Sequence, residues 1–459
     1  GAGAIMASVT IGSGETIFAA RGGAIFGYTL LWCFVAGAFM KGVQVYASTR
    51  TMTLTGEHPM TQWTAFPGPK NWIPLALGLL SIICFPFWMA ALPLALGDMA
   101  NWIFGMEGTP EQMKTYARLW GTANIVLVVV LTLFHSYGFL ERAQTLIIGL
   151  LLLCILAAVF AARPDWLAAL AGLVTPRVPA YQPWILEAYR ESIAQRPPWV
   201  EVVTYLGAIG GGTYDYIGYV GCYREKGWGA LAWKKKAPYE VNLPKEDETP
   251  PIDPSPENMK RGRLWLRAPM IDTWTGFLAV LVFTVCFMVL GAAILFPQQL
   301  VPEGNELLTH QASFLTNMHP GLLYVYQLGA FFAVWGTVYG AYEVYLRTAF
   351  ECLAPISSRV RRLPYRRFRV GILAYIAFFS LIFLWTFDDP IALVTPASIV
   401  GGVFACGLWC FLMFWTDRRF VPAPLRMGKG LTFFLLLSGL IMTLMGGKAI
   451  LDYLLKLLS

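Results

Sequence analysis

Apolar runs of roughly 20 residues recur from one end of this sequence to the other, each long enough to cross about 30 Å of hydrocarbon as a helix. Between them no stretch is long enough to form a separate water-soluble domain. Hydrophobic residues make up 57% of the chain and charged residues 13%, about half the charged share of ordinary soluble domains. The sequence therefore specifies an all-α polytopic membrane protein whose first partner is the lipid bilayer. Eleven spans are predicted, over 2–21, 24–48, 71–97, 117–136, 141–162, 200–222, 271–296, 319–346, 367–387, 391–415 and 430–450. The chain starts inside an apolar run, so no leader peptide is read and further sequence is expected ahead of Gly1.

Lys and Arg collect in the cytoplasmic loops of membrane proteins. The loop after span 6 carries Arg224, Lys226, Lys234 to Lys236, Lys245, Lys260, Arg261, Arg263 and Arg267. The loop after span 8 carries Arg347, Arg359, Arg361, Arg362, Arg366, Arg367 and Arg369, whereas 297–318 has neither Lys nor Arg. The expected orientation has the N-terminus cytoplasmic and the C-terminus extracytoplasmic, in a plasma (inner) membrane. The net charge of +7 is then a topological signal, and nucleic acid is not an expected partner.

The segment "LAWKKKAPYEVNLPKEDETPPIDPSPENMKRG", 231–262, is polar and Pro-rich. It reads as a passive cytoplasmic linker that buries too little to fold alone. All eight cysteines lie within or at the ends of apolar segments, so no extracellular disulfide is expected. Cys406 and Cys410 share a helix face, with no His or carboxylate beside them in sequence, and read as core packing. Asp98, Glu343 and Arg21 lie near span ends, where snorkelling to the interface accounts for them. His135 reads as a satisfied histidine of the bundle.

Two spans are interrupted. Span 1 contains Gly12-Ser13-Gly14-Glu15 and span 6 contains Gly210-Gly211-Gly212-Thr213-Tyr214-Asp215. Within hydrocarbon an unwound backbone is tolerated only where it is buried in protein or lines a wet cavity. Four-residue glycine spacing would mean close helix packing, but three consecutive glycines mean a break. Two broken spans in matching positions of two five-span halves point to a transporter built from inverted repeats, with its site between the breaks. The expected division is 1–162 for spans 1–5, 163–199 for an extracellular loop, 200–415 for spans 6–10 with a cytoplasmic linker at 224–270, and 416–459 for span 11 and the C-terminus. A carboxylate in a span is functional by default, which singles out Glu15 and Asp215. The local alternative for Glu15 is a negative side chain in the first turn of a half-helix. For Asp215 the alternatives are pairing with Lys41 or an aqueous vestibule.

With these features in place the chain resembles the Nramp divalent-metal transporters, a family of the APC superfamily with the LeuT-like fold. The resemblance rests on eleven spans with breaks in the first and sixth, on "TLTGEHPM" (53–60), "GTVYGAYE" (336–343) and "YRRFRV" (365–370). The family's span-1 motif, Asp-Pro-Gly-Asn, falls on Gly12, Ser13, Gly14 and Glu15. Its span-6 motif, Met-Pro-His after an Ala, falls on Gly211, Gly212 and Thr213, with Ala208 nearby. The ligand Asp is thus lost, the Asn is Glu, and glycine replaces the thioether that favours soft metals. Spans 3 and 9 lack the internal carboxylates and arginine of the family's proton path. The Nramp-related magnesium transporters, a distant branch similar to this chain, likewise lack the soft ligand and the proton path.

The resemblance implies alternating access for a divalent cation, Mg²⁺ ahead of Mn²⁺, without the usual proton coupling. No enzyme activity and no cofactor are expected, and no oligomer is assigned. The expected site is Gly12, Ser13, Gly14, Glu15, Ala208, Gly211, Gly212, Thr213 and Asp215. Glu15 and Asp215 would supply charge to the ion, and Tyr214 and Tyr216 are candidate gates. The alternative is an amino-acid or small organic amine transporter of the same superfamily, with the Gly-Ser-Gly amides holding a carboxylate. A receptor-like membrane protein with a vestigial site is the third class.

Overall fold

A computed structural model describes residues 15–16, 18–134, 137–234, 238–244, 255–302, 308–387 and 390–458. The described chain is almost wholly helical. Its principal helices are α1 (Ala19–Phe26), α2 (Leu31–Thr55), α3 (Trp72–Ile103), α4 (Pro110–Phe134), α5 (Tyr137–Ala161) and α6 (Trp166–Val174). There follow α7 (Pro198–Ala208), α8 (Thr213–Gly221), α9 (Pro256–Trp265), α10 (Arg267–Leu290), α11 (Leu322–Ile356) and α12 (Tyr365–Thr386). The last three are α13 (Pro390–Ile399), α14 (Ala405–Phe420) and α15 (Lys429–Leu458).

Eight helical stretches among the described residues are long and apolar enough to cross a bilayer by themselves. The first, Ala19–Thr55, is a hairpin: a Cβ on Gly22 would lie 3.3 Å from the Phe34 ring. Twelve residues of straight helix would separate the two by about 18 Å, so the chain doubles back through the tight turn Gly27–Leu30. Each expected span from the second to the eleventh coincides with a helix or, for the sixth and the tenth, with a pair, α7 with α8 and α13 with α14. The break expected in span 1 at Gly12, Ser13 and Gly14 lies outside the described residues, as does His135.

Burial sorts the helices into an interior and a rim. In α2 and α8 almost every side chain is buried. The peripheral helices α4, α12 and α15 instead turn Leu127, Phe134, Phe378 and Leu444 outward. A belt of exposed apolar side chains this extensive is stable only against hydrocarbon. The protein is an integral membrane protein.

Two packing features set up the centre. First, α7 and the wide, π-type turn Val400–Phe404 of span 10 touch backbone to backbone. A Cβ on Gly207 would meet the Ser398 carbonyl at 2.3 Å, and one on Gly402 would meet the Gly207 carbonyl at 2.2 Å. Only glycine permits that approach. Second, α3 carries Pro86 and Pro93 within the helix, each removing a backbone hydrogen bond, with Trp88 between them facing span 6.

The linker is more ordered than its composition suggests. Residues 245–254 lie outside the described residues, but Pro256–Trp265 is a helix capped by the Ser255 hydroxyl, which accepts from the Asn258 N–H at 3.4 Å. Its Met259 packs with Leu54, Val421 and Leu425 in a small separate cluster. The apolar positions of this short stretch find partners at the ends of spans 2 and 10, which local composition does not reveal.

Candidate functional site

The run of helix from Pro198 to Gly221 is broken at Ile209–Gly212. Gly210 and Gly211 have φ of +71° and +82°, a region that glycine enters without the Cβ penalty. The glycine triplet is therefore a break and not a packing stripe. Breaking a helix frees carbonyls at the end of one half and N–H groups at the start of the other, and each freed group needs a partner in this interior.

The N–H side is served by the two carboxylates. The Gly212 N–H donates to Asp215 Oδ2 at 2.7 Å, and the Gly210 N–H donates to Glu15 Oε1 at 2.9 Å. Asp215 thus holds the start of its own half-helix, where the dipole favours a negative group. Glu15 reaches across from span 1. Its second oxygen, Oε2, is buried with no hydrogen-bond partner among the described residues, and a buried carboxylate oxygen left so is costly.

The carbonyl side is served by Lys41, a residue of α2 fully buried in the bundle. Its ammonium donates to the carbonyls of Gly207, Ile209 and Gly211 at 2.8, 2.7 and 2.7 Å. The Tyr216 hydroxyl donates to the carbonyls of Gly210 and Gly211 at 2.8 and 3.1 Å. Every carbonyl from Gly207 to Gly211 therefore has a donor, the Ala208 carbonyl accepting from the Gly211 N–H at 3.4 Å. Among the described residues Lys41 makes no ion pair, so the Asp215–Lys41 pair considered from the sequence does not form.

On the far side of the break a cavity of about 20 Å³ is lined by Trp88 and Leu92 of α3, Gly211, Asp215, and Thr337 and Tyr345 of α11. That is room for about one water. Tyr214 is buried there, its hydroxyl accepting from the Trp88 indole N–H. Thr213 faces the Cys406 thiol, 3.3 Å from its hydroxyl. Among the described residues no three His, Cys, Asp or Glu side chains gather as a metal cluster. All eight cysteines are free.

Of the expected site residues, the structure thus brings together Glu15, Ala208, Gly211, Gly212, Thr213 and Asp215, with Tyr214 and Tyr216 packed against them. Gly12, Ser13 and Gly14 lie outside the described residues. Two buried residues were not counted in the site: Lys41 and, one turn further on α2, Gln44, whose amide has no partner among the described residues. A lysine and a glutamine inside "AGAFMKGVQVY" were the available signal.

Two residues assigned to snorkelling are corrected. Arg21 is buried, donating to the Pro302 carbonyl at 2.9 Å and lying 4.0 Å from Glu201. Glu343 is buried between Arg347 at 2.9 Å and Arg369 at 2.7 Å. Both find partners inside the bundle, so neither has to reach the interface.

Residues 3–208 match the model of the family described as "Natural resistance-associated macrophage protein-like" (Nramp). The divalent metal cation transporter MntH of Granulibacter bethesdensis is 29% identical over 182 residues, 38% of this chain and 38% of that protein. The chain therefore matches well under half the length of that curated relative. The manganese transporter of Eremococcus coleocola superposes with a TM-score of 0.66 at 13% identity, over 97% of this chain and 84% of that one. Mhp1, a nucleobase-cation-symport-1 family transporter, gives 0.50 at 15% identity over 98% and 91%. The chain is Nramp-like in the sequence of its first half and carries the LeuT-type transporter fold throughout.

Proposed function

We propose that this Nramp-like chain is a transporter that carries a divalent metal cation across the bilayer by alternating access, with Mg²⁺ ahead of Mn²⁺. The observation that carries the reading is Glu15 Oε2, a buried carboxylate oxygen with no hydrogen-bond partner among the described residues, on a side chain that reaches from span 1 to the broken backbone of span 6. A cation is the natural complement of such an atom, and the name of the Granulibacter relative fits it. The site lies between the breaks, near the middle of the bilayer, with Glu15, Asp215, Ser13 and Thr213 as the oxygen donors. Because Lys41 and Tyr216 hold the carbonyls of the break, the carboxylates and not the backbone carry the charge recognition. Mg²⁺ sheds its waters reluctantly and binds through one or two carboxylates, which suits a site with glycine at 211 in place of a thioether. Coupling to protons in the usual Nramp way is not part of this reading. The basic loops orient the chain with its N-terminus in the cytoplasm.

Protein in liposomes loaded with a Mg²⁺-sensitive dye is expected to admit Mg²⁺ and, more slowly, Mn²⁺. Glu15→Gln should keep the Gly210 contact through its amide oxygen yet weaken cation uptake about tenfold or more, as removing one member of a buried charge pair does. Full activity in that variant would reduce Glu15 to a helix-capping residue.

One observation favours a second reading. With both carboxylates ionised, Glu15 and Asp215 stand against the single ammonium of Lys41, a net charge that a monovalent organic amine would neutralise. Concentration of an amino acid or amine by the same liposomes, with no Mg²⁺ or Mn²⁺ flux, would select it.

A further inference from the structure

The freed carbonyls at the end of a broken transmembrane helix form a ready seat for a cation, because the helix dipole and the lone pairs both point there. In this protein that seat is filled from within. Lys41 has three ammonium protons, and the carbonyls of Gly207, Ile209 and Gly211 take all three at 2.7–2.8 Å, the length of charge-assisted bonds. Two of these carbonyls close the end of α7 and the third belongs to the glycine turn, so one ammonium fixes the geometry of the break. Around it, the Gly402 approach to Gly207 and the buried Cys33 thiol, 3.8 Å from the Val202 carbonyl, leave α7 tightly held to spans 2 and 10.

We propose that the span-6 break is a monovalent-cation site whose permanent occupant is the Lys41 ammonium, so that the protein needs no co-transported Na⁺ or K⁺ to hold its substrate site in shape. The proposal rests on the transporter reading for its meaning in the cycle, but the site itself does not. A free ion would leave this seat in one half of a transport cycle, whereas a side chain cannot. The first half of span 6 therefore stays joined to span 2 while other elements rearrange.

The test is chemical rescue, read by thermal unfolding of the purified full chain in detergent. Lys41→Ala removes the three methylene groups and the ammonium that propylammonium carries as a free molecule. The variant is expected to unfold at a lower temperature than the parent and to regain part of the loss, saturably, with propylammonium, and to a smaller degree with K⁺ or Na⁺, choline serving as the control at equal ionic strength. The parent should not respond to any of them. Lys41→Gln, which keeps two donors in a side chain one atom shorter, supplies the same titration if Lys41→Ala does not fold.

Variants insensitive to every cation, or a parent protein that Na⁺ or K⁺ stabilises over choline, would overturn the proposal. Neither readout requires flux, so failure here and failure of the transporter reading are separately visible. In liposomes that do transport, exchange of Na⁺ for choline should leave the parent's rate unchanged, and a rate that falls with Na⁺ would count against it.

Discussion

The span-6 break and the arginine-rich end of the bundle both bury charge, and they do so in opposite ways. At the arginine-rich end several charges make more than one bond each. Arg224 donates to both oxygens of Glu351, at 2.6 and 3.0 Å, and to the carbonyls of Pro238 and Glu240 at 3.3 Å. Arg347 bridges Glu225 and Glu343, each at 2.9 Å, and Arg50 meets Asp417 at 2.6 Å. At the break Glu15 and Asp215 each accept from a backbone N–H, Asp215 facing the Tyr345 hydroxyl as well, and Glu15 keeps an oxygen with no hydrogen-bond partner among the described residues. Multiply bonded charges of fixed geometry make a latch, while singly bonded ones can exchange partners. The comparison marks one region as rigid and leaves ligand exchange, on the transport reading proposed above, to the other.

The sharpest way to break that contrast is to remove one member of the latch. Glu351→Ala removes the bidentate partner of the fully buried Arg224 guanidinium and leaves it Glu57 at 3.8 Å, and stability is expected to fall by about 3 kcal/mol, the low end for removing one partner of a buried pair. Thermal or denaturant unfolding in detergent would read it. Glu15→Gln, equally buried, should by contrast leave the unfolding midpoint nearly in place while flux falls. Equal losses of stability in the two variants would erase the distinction. A smaller effect is expected for Arg369→Ala. Its partner Glu343 retains Arg347, so the loss is about 1.5–3 kcal/mol, the range for a hydrogen bond to a charged group.

The same contrast explains what was legible in the sequence. Spans, orientation signals and the break could be read because each has a local signature: about 20 apolar residues, clustered Lys and Arg, three consecutive glycines. The latch could not. Arg224 and Glu351 are 127 residues apart, and Arg369 and Glu343 are 26 apart, so each looks like an isolated charge near a span end. Lys41 was visible as a lone lysine within an apolar run, and a carboxylate seemed its natural partner. It chose backbone carbonyls, which every residue possesses and which therefore leave no trace in sequence. The segment 238–242 was hidden for the same reason. Tyr239, stacked on Tyr365 at 3.6 Å and hydrogen-bonded to Glu225, ties the linker to the latch, and the Asn242 N–H donates to Glu57 at 3.3 Å.

The smallest effect distinguishes the latch from the neighbouring histidine. His58 lies in the connection after α2, 4.0 Å from Glu351, and could be taken for another ion pair. The geometry argues otherwise: its Nδ1 accepts from the Met60 N–H at 3.0 Å, so the proton sits on Nε2, which donates to the Ile217 carbonyl at 3.1 Å. The ring is neutral, and burial pushes its pKa down from 6.5 to about 4, with Glu351 pulling the other way. A histidine with a depressed folded-state pKa binds fewer protons folded than unfolded, so its contribution is fully present above pH 6.5 and is lost as the pH falls toward 4. His58→Asn preserves an acceptor for the Met60 N–H and removes the titrating ring. The variant is expected to lose about 1 kcal/mol at neutral pH with the Ile217 bond and to show a flatter decline of stability from pH 6.5 to 4 than the parent. An unchanged slope would place the acid sensitivity outside His58.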